Sequence, residues 1–212
     1  MALEHSRELG SVWETAVLLN NVGTVHHVRG EFEQASRHYR EGLSLCHELG
    51  DRAGQAVALG NLAEIAWQWG DGGAAETMLH EATGLARAAE APSALVVGLD
   101  SLGVVLAARG EDGQALACFR DALVAAQASQ FQTAIVKVLV HVAEMLTRHG
   151  SGRAATAILV LVAGHEAGER DVQLQAQRLL ASQPAPVDAP PITLKQAVAL
   201  VLADPPGQAC IG

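Results

Sequence analysis

Apolar and small residues return along this chain at a spacing of 40 positions. Leu19, Leu59, Leu99 and Leu139 hold one such place; three residues on stand Val22, Leu62, Leu102 and Val142, each followed directly by Gly23, Ala63, Gly103 or Ala143. Gly30, Gly70, Gly110 and Gly150 close these stretches. Beyond each glycine come Ala35, Ala75, Ala115 and Ala155, then Tyr39, Leu79, Phe119 and Leu159. Steps of three and four residues put side chains on one helix face, so each period reads as two amphipathic helices. The glycine between them ends the first helix, because the left-handed conformation just past a last turn costs glycine little. The expected helices lie near 12–29, 31–49, 52–69, 72–89, 92–109, 112–129, 131–149 and 152–167. Hairpins repeated at a fixed period cannot bury their apolar faces singly and stack on their neighbours, which predicts an all-α solenoid over residues 11–168.

Local signals agree with those boundaries. Ser11 with Glu14 has the spacing of a capping box, Asp51 and Asp71 stand at N-cap positions, and Pro92 falls where a first-turn proline is tolerated. After Gly168 the register fades, although Asp171 to Ala181 retains a helical pattern and predicts a capping helix within 169–182. Residues 183–192, QPAPVDAPPI, read as a proline-rich linker. Thr193 and Gln196 form a second capping box before a short amphipathic helix over 193–203, and 204–212 reads as a loose tail. At the other end, Leu3 to Gly10 aligns with Leu43 to Gly50, so residues 1–10 read as the remnant second helix of a preceding repeat and the chain as a piece of a longer array or a truncated gene product. An unpaired helix leaves the apolar side of residues 12–29 incompletely covered; self-association through exposed repeat edges, or a docked tail, is expected.

Composition narrows the function classes. Half of the residues are hydrophobic but only 3% are aromatic, so the interior is built from Ala, Leu and Val at close helix contacts. The net charge is −9 and Lys137 and Lys195 are the two lysines, which argues against direct nucleic-acid binding. Cys46, Cys118 and Cys210 are far apart, a usage that fits a reducing, cytoplasmic setting. No stretch approaches the roughly 20 apolar residues that a spanning helix requires, and the N-terminus lacks the basic-then-apolar pattern of a leader.

Candidate chemistry is sparse. Gly70, Gly72 and Gly73 precede a helix but are not followed by Lys-Ser/Thr, so they read as an interhelix turn and not a phosphate cradle. His26 and His27 are adjacent and diverge on a helix; His165-Glu166 has no second histidine four residues on; Cys46 and Cys118 lack zinc-finger spacing. Neither a metal site, a cofactor nor an enzymatic constellation is expected.

The set Leu-x-x-Val/Leu-Gly/Ala, helix-ending Gly, then Ala and an aromatic or Leu resembles the tetratricopeptide repeat, in the segments LLNNVGTVHHVRGEFEQASRHYREGL and LDSLGVVLAARGEDGQALACFRDAL. The resemblance implies a right-handed α-solenoid of tetratricopeptide-like hairpins and a non-catalytic role in binding proteins or peptides, with a small-molecule effector as a further candidate. The 40-residue period and the closing Thr193 to Leu202 are similar to the C-terminal repeats of large bacterial ATP-dependent transcriptional regulators. Such a regulator domain is the first reading, and a stand-alone adaptor or chaperone-like module binding a peptide is the second. By the same resemblance the first helix of each unit lines a concave groove, which nominates Val17, Asn20, Thr24 and His27; Val57, Gly60, Glu64 and Trp67; Val97, Asp100, Val104 and Ala107; and Lys137, Val140, Glu144 and Thr147. Asn61, Lys137 and His141 occupy places similar to part of the clamp with which some members hold a peptide carboxylate, although Asn20 stands where its first lysine is expected. A groove with Trp67, Asp100 and Glu144 would suit a basic, arginine-bearing peptide through cation–π attraction and charge.

Overall fold

The computed structural model describes residues 12–149, 152–182 and 189–203. The expectations for the remnant 1–10, the Ser11 cap, Gly150, the first part of the linker and the tail lie outside these residues. The helices are α1 (Val12–Val28), α2 (Phe32–Glu48), α3 (Arg52–Gln68), α4 (Gly72–Ala88), α5 (Pro92–Ala108), α6 (Asp112–Ala128), α7 (Gln132–Arg148), α8 (Gly152–Gly164), α9 (Arg170–Ala181) and α10 (Leu194–Ala203). Among the described residues every regular element is a helix. The expected boundaries hold to one residue for α1–α7, whereas α8 stops three residues before the expected 167.

The chain forms two compact units, Met1–Val105 and Leu106–Gly212, with the boundary inside α5. In the first, α1 pairs with α2 and α3 with α4, while α3 also packs against α2 and α1. In the second, α6, α7 and α8 pack in succession, α9 lies on α8 and α7, and α10 rests on α6, α7 and α8. Helical hairpins stacked in sequence order make this an α-solenoid.

The register positions are the core. Leu19, Leu59, Leu99 and Leu139 are buried, as are Ala35, Ala75, Ala115 and Ala155 and then Tyr39, Leu79, Phe119 and Leu159. Val22 is half-buried and departs from its partners Leu62, Leu102 and Val142. Small residues in the register allow close approach: a Cβ added at Gly23 would lie 2.5 Å from the Tyr39 ring. The corners repeat too. Backbone N–H groups of Glu31, Asp51, Asp71, Ala91, Glu111 and Phe131 each bond the carbonyl five residues back, at 2.8–2.9 Å, and close the helix end. Gly30, Gly50, Gly70 and Gly110 supply the positive φ of these corners, but Glu90 and Gln130 adopt it at φ 50° and 55° without glycine's freedom.

Asp51 and Asp71 cap as expected, accepting from the Gly54 and Ala74 N–H at 2.9 Å. Thr193 and Gln196 form a reciprocal box: the Thr193 N–H donates to Gln196 Oε1 at 2.8 Å, and the Gln196 N–H to Thr193 Oγ1 at 3.2 Å. Beyond the box, α10 buries Ala197, Val198 and Val201, and Arg120 Nε donates to the Val201 carbonyl at 2.7 Å.

Candidate functional site: a recess between α3 and α5

Within the first unit a recess of about 220 Å³ opens between α3 and α5. Ala56, Val57, Gly60, Asn61 and Glu64 form one wall, and Ser93, Ala94, Val97, Gly98 and Ser101 the other. Helix periodicity builds it: residues 57, 60, 61 and 64 follow the three–four spacing of one face, as do 94, 97, 98 and 101. The opposite face of α3 carries the buried Leu59, Leu62, Ala63 and Ala66, so the core fixes which side chains remain available. Val57 and Val97 stay 44% and 52% exposed, which leaves two apolar lips on a polar-rimmed pit.

Gly60 decides the depth. Apart from the adjoining backbone of its own helix, nothing among the described residues lies within 4 Å of a Cβ built there, in contrast to Gly23 against Tyr39 and to Gly98, whose added Cβ would meet Thr83 Cγ2 at 3.0 Å. An interior helical glycine costs about 0.5–1 kcal/mol relative to alanine. Packing explains the glycines at 23 and 98 but not the one at 60.

The electrostatics come from Glu64, whose side chain is 57% exposed and stands 3.9 Å from His27 Nε2 on α1. The His27 ring meets Phe32 edge-on at 5.5 Å. Beneath, the Tyr39 hydroxyl donates to Thr24 Oγ1 at 3.3 Å, and Thr24 donates in turn to the Asn20 carbonyl at 3.0 Å. Burial raises the Tyr39 pKa, the bond to Thr24 pulls it down, and the Glu64 charge pushes it up again. Asn20 is half-buried beside Gly42, and its Oδ1 is buried without a hydrogen-bond partner among the described residues.

The nominated residues therefore separate. Val57, Gly60, Asn61, Glu64 and Val97 line the recess; Asn20, Thr24 and His27 belong to α1 and its contacts. Trp67 is half-buried and covers the start of α4, with its ring 3.3 Å from where a Gly72 Cβ would sit. Asp100 is a correction: it is 4% exposed, so it is not a carboxylate offered to a ligand. The cause is the sequence of α5, PSALVVGLDSLGVVLAA, in which Val96, Leu99, Leu102, Val105, Leu106 and Ala107 are all buried; a helix apolar nearly all round is covered on several sides. Ala107 and Val140, also nominated as groove residues, are buried for the same kind of reason. In the second unit Lys137 is exposed, His141 tilts against Phe119 at 6.1 Å, and Glu144 accepts a long 3.4 Å bond from Gln175 Nε2 on α9. Thr147 bonds back to the Ala143 carbonyl at 2.8 Å.

Ser93 and Ser101, half of the polar rim, were not among the nominated residues. Ser101 occupies the register place of Asn61, 40 residues on, and that equivalence is the signal that would have found it. A second recess of about 310 Å³ lies by α10, lined by Gln127, Gln130, Gln132, Ile135, Leu194, Lys195 and Val198. Among the described residues no group of three or more His, Cys, Asp or Glu could hold a metal ion. No described helix is long and apolar enough to cross a membrane.

No curated protein matches the chain. Residues 14–88, which cover most of α1 and all of α2–α4, match the model of the tetratricopeptide repeat family, whose members generally mediate protein–protein interaction, so the hairpins that frame the α3 wall of the recess are similar to tetratricopeptide repeats.

Proposed function

We propose that the first unit is a non-catalytic, peptide-binding module whose site is the recess between α3 and α5. The observation that carries this reading is Gly60, an interior helical glycine that no packing contact requires and that keeps the recess open. The volume selects the class of ligand: pockets for whole small molecules run to about 300–1,000 Å³, and 220 Å³ suits a single side chain of a larger partner. A protein or peptide is thus favoured over a small-molecule effector. The 40-residue period and the closing segment Thr193 to Leu202 support a setting in a bacterial ATP-dependent transcriptional regulator, where a repeat domain would receive a protein signal.

The test is a selection of displayed peptides on the full chain, followed by titration calorimetry of the enriched peptides on Gly60→Leu. A leucine there fills the recess from a position where its Cβ meets nothing. Affinity should fall at least tenfold while the helical circular dichroism is kept. Enriched peptides that bind Gly60→Leu and Val57→Asp as tightly as the parent chain would place the site elsewhere.

A further inference from the structure

Three of the exposed valines of the first unit form a ladder, and its pitch carries information about the ligand's backbone. Val17, Val57 and Val97 occupy one register position on α1, α3 and α5, and are 39%, 44% and 52% exposed. Helix α1 packs against α3, and α3 and α5 wall one recess, so the three valines are successive rungs. Packed helices lie about 8–10 Å apart, which sets the distance from rung to rung.

Resting on the peptide-binding reading above, the geometry points to a partner segment in the polyproline II conformation, with an apolar side chain at every third residue and an arginine beside the central one. A polyproline II chain advances about 3.1 Å per residue with three residues per turn, so equivalent side chains recur at about 9.3 Å on one face. A β-strand returns to the same face every second residue, at about 6.6 Å, which falls short of a rung spacing of about 8–10 Å. Two turns of an α-helix advance about 10.8 Å, and at about 10–12 Å in diameter a helix is too thick to enter a recess sized for one side chain. Polyproline II also leaves its backbone polar groups unpaired. Asn61, Ser93 and Ser101 on the rim supply an amide and two hydroxyls to meet them.

Charge places the cation. Glu64 lies two turns from Val57 on the same helix, with its side chain 57% exposed, whereas the matching register positions on the outer rungs are Thr24 and Val104. The carboxylate therefore faces the middle of the ligand, and arginine reaches it better than lysine because its fork can pair both oxygens.

The experiment uses two synthetic peptides of identical composition on the full chain. VPPVRPVPP has valine at every third position with arginine after the central one; PVPVRVPPP has valine at every second position. The first should bind at least tenfold tighter, lose at least tenfold on Gly60→Leu, and lose its advantage over an arginine-to-glutamate version of itself on Glu64→Gln. Equal binding of the two peptides, still sensitive to Gly60→Leu, would overturn the spacing inference and leave the groove reading standing. Failure of both peptides, while selected peptides bind in a Gly60-dependent way, would overturn it likewise. If no peptide from either source depends on Gly60, the groove reading itself is lost.

Discussion

Gly60 in the first unit and Val140 in the second stand at the same place in the repeat, and they meet opposite surroundings. Around Gly60 the helix face is open, with nothing near an added Cβ and exposed valines at 57 and 97. Around Val140 it is closed: the side chain is fully buried, α9 lies on α7, and Glu144 of α7 receives a bond from Gln175 of α9. Equivalent register positions are thus equivalent only toward the core of their own hairpin. What the outward face of a first helix becomes is decided by what else packs on it.

The sharpest way to break that contrast is to place the same polar side chain on both faces. Val140→Asn should cost about 3 kcal/mol, because a buried amide without partners is added to the loss of apolar packing. Val57→Asn should stay within about 0.5 kcal/mol, as exposed substitutions do. Urea unfolding of the two variants measures the difference; equal midpoint shifts would mean that the two faces are equally covered.

A smaller effect, of opposite sign at two glycines, sharpens the comparison within the first unit. Gly23→Ala drives a methyl to 2.5 Å from the Tyr39 ring and should destabilise by about 1–3 kcal/mol. Gly60→Ala meets no atom and should stabilise by about 0.5–1 kcal/mol, by removing the entropy that an interior glycine loses. Thermal melts that move in the same direction for both would refute the view that one glycine serves packing and the other space.

The smallest effect is a pH dependence carried by the first unit. Tyr39 is held above its ordinary value of 10.0, chiefly by burial, and Cys46 above 9.0, by burial and then by the Asp51 charge. Both are neutral when protonated, and the folded chain keeps protons that the unfolded chain releases. Their contribution is fully present below about pH 9 and is lost as pH rises through the folded values. Circular dichroism in fixed urea across this range should show a fall in helicity that is shallower in a Cys46→Ala, Tyr39→Phe double variant. An identical slope in parent and variant would assign the alkaline loss to other groups.

The helices and their core were legible in the chain because both follow from short-range rules. A step of three or four residues defines a face, a glycine with positive φ ends a helix, and a carboxylate or hydroxyl caps the next, as Asp51, Asp71 and the Thr193–Gln196 box do. Of the candidate site, Val57, Gly60, Asn61 and Glu64 of α3 and Val97 of α5 are legible in the chain as outward residues, whereas Asp100 is buried and Ser93 has no signal in the repeat. A charged residue in an apolar helix is no guide to exposure once that helix is covered on several sides.

Taken alone, the amino-acid order determined the period, the hairpins, the buried register and hence the solenoid, since each of these depends on neighbours along the chain or on the adjacent repeat. The tertiary structure alone decided which outward faces stay open. It set Gly60 over empty space and Gly23 against a tyrosine ring, buried Val140 in a helix on which α9 packs, and folded Trp67 onto the start of α4. The physical reason is that exposure depends on contacts between elements remote in sequence, for which a repeat pattern carries no term.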